Sequence, residues 1–186
     1  MVQTAGFTPV SLDTLRIARS ADEDAVEGHD TFEENSLAKA RYFAARAEGR
    51  LVLADDSGLS VDALGGAPGV RSKRWAADSG ADGQALDDEN NRKLLGELRG
   101  AVHRRARYAC VAVIAGPDVE LWARGECVGE ITLEPRGAAG FGYDPYFLSE
   151  DLGVTFGEAS VAAKEAISHR GRAVRAVLAQ LTLHLR

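Results

Sequence analysis

The run Leu51-Val-Leu-Ala-Asp-Asp-Ser-Gly-Leu-Ser60 carries the side chains best suited to chemistry. Two adjacent carboxylates, Asp55 and Asp56, follow a short apolar segment and lead into Ser57-Gly58. A carboxylate can accept a proton from water, and it can hold a hard cation through its oxygens. The apolar residues Leu51 to Ala54, bounded by Gly49 and Gly58, read as a buried strand. In open α/β sheets ligands sit beyond the carboxyl ends of strands. Asp55, Asp56 and Ser57 therefore fall where reactions are usually done. Neighbouring strand residues point to opposite faces, so the two carboxylates are expected to do different jobs. The competing reading is a solvated turn, since Asp, Ser and Gly are ordinary turn formers.

Four other groups carry polar chemistry. Asn35 and Lys39 are four residues apart on a predicted helix, so they share a face that either binds phosphate or is simply solvated. In Arg136-Gly-Ala-Ala-Gly-Phe-Gly-Tyr-Asp-Pro-Tyr-Phe147, Gly140 and Gly142 flank Phe141. Such glycines let backbone approach a flat ligand while the ring stacks on it, or the loop is an aromatic anchor in a core. Lys164, Ser168, His169 and Arg170 form a donor-rich set that suits carbonyl or phosphate oxygens. Ser168-His169 has no third member that would make it a nucleophile dyad. Arg71, Lys73 and Arg74 precede Trp75, a residue for the core or for covering a base. The dense Gly65-Gly-Ala-Pro-Gly69 does not match the Walker pattern, since no Gly-Lys-Ser/Thr follows.

The elements that must position these residues are legible in outline. Thr31 with Glu34 reads as a capping box opening a helix that runs to Glu48 and stops at Gly49, with Leu37, Ala40, Ala44 and Ala47 on its buried stripe. A second helix is expected from Asp87 to Leu98, with Leu94, Leu95 and Leu98 inward. Arg105–Ala115 and Val119–Val128 read as strands joined at Gly116-Pro-Asp, a hairpin, and Gly129 to Pro135 as a third extended segment. A last helix is expected from Val161 to Leu183, with Gly171 as its kink-tolerant point. Residues before Gly28 show little pattern; Glu27 lies there as a loop carboxylate.

Composition excludes several classes. A chain of 186 residues fits one domain, or one domain with a lobe, and can bury a real core. A formal net charge of −6 argues against sequence-independent nucleic-acid binding, which needs a basic surface. No run approaches a membrane span and no signal-peptide core is present. Cys110 and Cys127 are too few for a disulfide framework, so buried thiols in a reducing cytoplasm are expected.

Taken together, Thr31-Phe-x-Glu-Asn35 with Lys39, Leu53-Ala-Asp-Asp-Ser-Gly58, Gly65-Gly-Ala-Pro-Gly69, Gly140-Phe-Gly-Tyr-Asp-Pro145 and Ser168-His-Arg170 occur in an order that closely resembles the inosine/xanthosine triphosphate pyrophosphatase family. The resemblance covers the chain from Glu27 to the C-terminus. It implies an α/β fold: an elongated, mixed, twisted sheet flanked by helices, in two lobes with a central nucleotide cleft. It implies one domain over residues 1–186 whose lobes the sequence does not separate. The implied activity is hydrolysis of ITP, dITP or XTP to the monophosphate and pyrophosphate with Mg²⁺, by a homodimer. Matched residue by residue, Asp56 is the implied general base and, with Asp55 and Glu27, a metal-linked carboxylate. Asp55 and Ser57 are implied at the phosphate end, Asn35 and Lys39 as supports of the catalytic carboxylates or phosphates, and Phe141, Gly142, Tyr143 and Asp144 in the base-binding loop. Lys164, Ser168, His169 and Arg170 are implied readers of the purine 6-oxo group and phosphates. Donors there would meet the 6-amino group of adenine with no acceptor, and rejection by a site built to hydrogen-bond can reach the order of 10⁴.

The family pattern begins with a strand followed by Ser/Thr-x-Asn-x-x-Lys, a loop that grips the triphosphate. No such run precedes Thr31, so the chain is expected to be N-terminally shortened. The alternative that follows is a nucleotide-binding protein with weak or no turnover. An aspartyl-nucleophile phosphatase is disfavoured, because Ala54-Asp-Asp-Ser-Gly lacks the Asp-x-Asp such enzymes use.

Overall fold

A computed structural model of the protein describes residues 2–3, 6–17, 26 and 28–186. Glu27 lies outside the described residues. Helix α1 spans Phe32–Ala44. Thr31 caps it: its Oγ1 accepts from the Glu34 N–H at 3.2 Å and donates to Glu34 Oε2 at 2.8 Å. The Glu34 carboxylate thus takes the cap's hydroxyl, where a capping box would return it to the cap's N–H. The helix ends at Ala44 instead of Glu48, and Ala45 to Gly49 form turns. Its buried residues are Phe32, Asn35, Ser36 and Ala40, so the inward face is rotated from the predicted stripe and includes two polar side chains.

Strand β1 covers Val52–Val61, ten residues in place of the expected four. The Asp55-Asp56-Ser57-Gly58 run is strand, not turn. Leu51 and Leu53 are 40% and 39% exposed, while Leu59 and Val61 are fully buried, so the apolar run is not the part of the strand that forms core. Carboxylates normally end a buried strand; here side chains from helices pair them, and the ladder continues through.

Helix α2 spans Gly83–Glu97, with Asp82 Oδ1 accepting from the Gly83 N–H at 2.7 Å. Trp75, in front of it, packs partly buried against core with the Lys93 ammonium 5.1 Å from its ring centre, which favours the packing role. Strands β2 (Arg105–Gly116) and β3 (Val119–Ile131) are joined by Pro117-Asp118, a connection only an antiparallel hairpin allows. β3 absorbs the start of the expected third extended segment. A short β4 (Phe147–Ser149), not anticipated, pairs antiparallel with it, Ile131 opposite Phe147. The sheet order is β1-β2-β3-β4. The α/β class is as expected; the resemblance implied a mixed sheet, and the strands of the described residues are antiparallel.

The predicted last helix is two: α3 (Val161–Ile167) and α4 (His169–His184). The break is at Ser168, whose ψ of 151° is extended, while its N–H still closes α3 onto the Lys164 carbonyl at 2.8 Å. Gly171 sits buried inside α4. No described helix is long and apolar enough to cross a membrane.

The chain divides into two compact units. The first comprises residues up to Asp56, Cys110–Gly125 and His169–Arg186. Its core joins Cys110, Ala112, Ile114 and Ala123 of the sheet to Ala173, Val177 and Leu181 of α4. Gly125 permits this packing: a Cβ there would stand 2.3 Å from the His169 carbonyl oxygen and 2.5 Å from the Ala173 nitrogen. The second unit comprises Ser57–Ala109 and Glu126–Ser168. Its core centres on Tyr108, Phe147 and Phe156, whose ring centres lie 4.8, 5.0 and 5.7 Å apart, with Leu59, Leu94 and Leu98 around them.

Candidate active site

In the first unit the two carboxylates of β1 have separate partners, as alternation along a strand requires. Asp56 Oδ1 accepts from Lys39 Nζ at 3.1 Å and its Oδ2 from Asn35 Nδ2 at 3.2 Å. Both partners come from α1, so their i, i+4 spacing converges on one carboxylate. Asn35 is buried, and it also exchanges hydrogen bonds with the His29 backbone, at 3.0 Å from the N–H and 3.2 Å to the carbonyl. Next to it, the Ser36 hydroxyl donates to the Val111 carbonyl at 2.9 Å and to Ala54 at 3.3 Å, fixing α1 against the strands that carry the carboxylates. Lys39 and Asp56 are 16% and 14% exposed in their side chains, a shielded pair still open to a ligand.

Asp55 faces a different set. Its Oδ2 accepts from Arg170 Nε of α4 at 2.9 Å, and the Cys110 Sγ points to the same oxygen at 3.6 Å. Burial, reinforced by the Asp55 charge, pushes the Cys110 thiol far up, so it is no thiolate nucleophile. Burial works against the Arg170 guanidinium, yet the Asp55 charge and hydrogen bond raise its pKa.

The second unit builds the glycine-rich loop. Asp144 is buried, and its Oδ2 accepts from the Phe141 N–H at 2.8 Å and from Lys164 Nζ of α3 at 2.5 Å. Gly140 has a φ of 81°, and a Cβ there would stand 2.0 Å from Asp144 Oδ2; only glycine leaves room for that carboxylate. Phe141 is 67% exposed, its ring presented outward with Lys164 Nζ 5.1 Å from its centre. Tyr143 turns the other way: it is buried and its hydroxyl donates to the Ser72 carbonyl at 2.9 Å. Burial pushes the Tyr143 phenol up, and it pushes Tyr108 well up with the charge of Asp144 adding to it.

The structure thus brings Asn35 and Lys39 onto Asp56, Arg170 onto Asp55, and Phe141 and Lys164 onto Asp144. It does not keep Lys164, Ser168, His169 and Arg170 as one row on one helix. Lys164 and Ser168 belong to the second unit, His169 and Arg170 to the first, and the chain changes unit at the helix break. Ser168 and His169 are both buried, at 8% and 9% exposure. Ser57 is half-buried in β1. Asp144 and Tyr143 shape the loop from within. Sequence reasoning missed Asp87 and Asn91 of α2, which hold Gly142: its N–H donates to Asp87 Oδ2 at 2.9 Å, and Asn91 Nδ2 donates to its carbonyl at 2.9 Å. Their signal was two polar residues, four apart, continuing the stripe of Leu94 and Leu98.

The donor set bears on a metal. Among the described residues no three His, Cys, Asp or Glu side chains converge into a cage. Mg²⁺ does not need one: it is commonly held by one or two carboxylates together with substrate phosphates and water. A shielded carboxylate such as Asp56 suits that mode and does not suit a dedicated structural metal.

Comparison with known proteins places these features in a family. Residues 2–180 match the family described as Ham1. The chain is 46% identical over 183 residues to a dITP/XTP pyrophosphatase of Ralstonia nicotianae, covering 97% of this chain and 88% of the relative. It is 46% identical over 178 residues to a dITP/XTP pyrophosphatase of Burkholderia pseudomallei, covering 94% and 84%. Among solved structures, the Ham1 protein of Staphylococcus aureus is similar with a TM-score of 0.79 and 36% identity, over 93% of this chain and 85% of that one.

Proposed function

The chain belongs to the Ham1 family, and from that premise we propose that it hydrolyses non-canonical purine nucleoside triphosphates (dITP, ITP and XTP) to the monophosphate and pyrophosphate. The names of its relatives support the activity. The observation that carries the chemistry is the Asp56 carboxylate, held by Lys39 and Asn35 on a shielded stretch of strand.

In this reading Asp56 is the general base and takes the proton of the attacking water. Asn35 fixes the direction of the carboxylate, and Lys39 supplies positive charge beside the phosphates. Asp56, with Asp55 and Glu27, would hold Mg²⁺, which relieves phosphate charge and lowers the pKa of water when bound. Ser57 lines the phosphate end and Arg170 adds a guanidinium. Phe141 offers an exposed ring for the base to stack on. Gly142, Tyr143 and Asp144 shape that loop, and Lys164, Ser168 and His169 supply donors for a 6-oxo purine. The same donors leave a 6-amino purine unpaired, which disfavours adenine nucleotides. The protein is further read as a homodimer on the family resemblance, and as cytoplasmic from its free buried thiols. Its net charge of −6 supports no role on nucleic acid.

The test is pyrophosphate release from dITP, XTP and dATP with Mg²⁺, alongside Asp56→Asn. Release from dITP and XTP well above dATP is expected, falling by about 10² or more in an Asp56→Asn variant that still unfolds cooperatively. Comparable turnover of dATP and dITP would sink the base assignment. A variant as active as the parent would remove Asp56 from the mechanism.

A further inference from the structure

Phe141 is carried by a stretch with no regular secondary structure, from Thr132 to Tyr146, so its backbone polar groups have no ladder to join. Side chains take three of these groups, while the Phe141 carbonyl accepts from the Asp144 N–H at 3.2 Å. Asp144 takes the Phe141 N–H, Asp87 takes the Gly142 N–H, and Asn91 donates to the Gly142 carbonyl. Asp87 and Asn91 are one turn apart on α2 and so hold the two peptide units on either side of the Gly142 Cα. The helix itself is pinned by Asn90, which accepts from the Ala76 N–H at 2.7 Å and donates to the Lys73 carbonyl at 3.1 Å.

Asn91 has a further property. It is 8% exposed, and its Oδ1 is buried with no hydrogen-bond partner. An unpaired buried acceptor costs stability, and an apolar residue of similar size would avoid that cost. The amide is explained by the bond its Nδ2 makes to the loop, not by the packing of α2.

We propose that Asp87 and Asn91 are positioning residues that set the place of the Phe141 ring and thereby the affinity for the purine end of the nucleotide. The inference rests on the reading that this loop takes the base. Neither residue touches substrate; both act through the backbone of Gly142. Loss of either clamp lets the ring wander, which weakens binding of the base and leaves the phosphate end as it was.

The experiment compares Asp87→Ala, Asp87→Asn and Asn91→Leu with the parent in steady-state pyrophosphate release from dITP, inhibition by inorganic tripolyphosphate, and urea unfolding. KM for dITP is expected to rise about three- to tenfold in Asp87→Ala and Asn91→Leu, the loss of one ordinary hydrogen bond, with kcat within about twofold. Asp87→Asn keeps an acceptor and is expected to restore KM. Tripolyphosphate has no base, so its inhibition is expected to be unchanged throughout. Asn91→Leu is expected to unfold no earlier than the parent, an outcome a merely structural asparagine would not give. Parent-like KM in both Asp87→Ala and Asn91→Leu overturns the proposal, as does an equal loss of tripolyphosphate inhibition. If Asp87→Ala does not fold, Asn91→Leu decides alone. Equilibrium binding of dITP on the same proteins separates the two levels. A parent that binds but releases no pyrophosphate overturns the catalytic reading only, and weaker binding by the variants still upholds positioning. A parent that neither binds nor turns over dITP overturns both.

Discussion

Asn35 is 1% exposed and uses its amide on three partners: Asp56 Oδ2, the His29 carbonyl and the His29 N–H. Truncation would remove all three of these hydrogen bonds at once. Asn35→Ala is therefore expected to lower stability by about 1–3 kcal/mol, read from urea unfolding, and to cut kcat for dITP more than KM, because it loosens the base and not the purine. A KM effect with intact kcat would show that Asn35 serves binding instead. Lys39 lies one turn along and meets the other oxygen of the same carboxylate at 3.1 Å. Two side chains of one helix thus determine which way one carboxylate faces; spacing alone showed that they share a face, not that Asp56 is what they meet. The rotamer of Asp55 was not readable, because its partner, Arg170, is 115 residues away.

At the scale of elements, α4 reaches its place by a contact with bare backbone. Gly125 of β3 admits the first turn of α4, and a methyl there would overlap the His169 carbonyl and the Ala173 nitrogen. Gly125→Ala is expected to cost about 1–3 kcal/mol by overpacking and to move Arg170 off Asp55, so pyrophosphate release falls with stability. An alanine variant as stable as the parent would mean that α4 rides further from the strand. Such contacts explain where the sequence was opaque. The capped start of α1 and the β2–β3 hairpin follow from local chemistry and were legible. The length of β1 was not, since an apolar run ending in two acids reads as a strand end until the helix side chains that pair them are known. The break at Ser168 likewise has no local breaker residue; Gly171 looks the better candidate and lies within a helix. Asp87 and Asn91 have the same spacing as Asn35 and Lys39, but their target is a loop 51 residues downstream of Asn91, beyond any local pattern.

Across the two units, the cations of the candidate site are each held in an ion pair. The site cations Lys39, Arg170 and Lys164 each meet a carboxylate of their own unit: Asp56, Asp55 and Asp144. Summed formally, those three pairs carry no charge, on a chain whose net charge is −6. A triphosphate bearing about four negative charges therefore meets no standing surplus of positive charge at these residues. Affinity for dITP is expected to collapse when divalent cations are chelated and to change little with sodium chloride at fixed Mg²⁺, measured by equilibrium titration. Binding that survives chelation but weakens steeply with salt would mean that the three cations attract the substrate unaided. On the proposed function, the expected outcome would make the three pairs act like a resin neutralised from within: an anion arriving with its own cation would be kept and a bare one passed over, before any base is read.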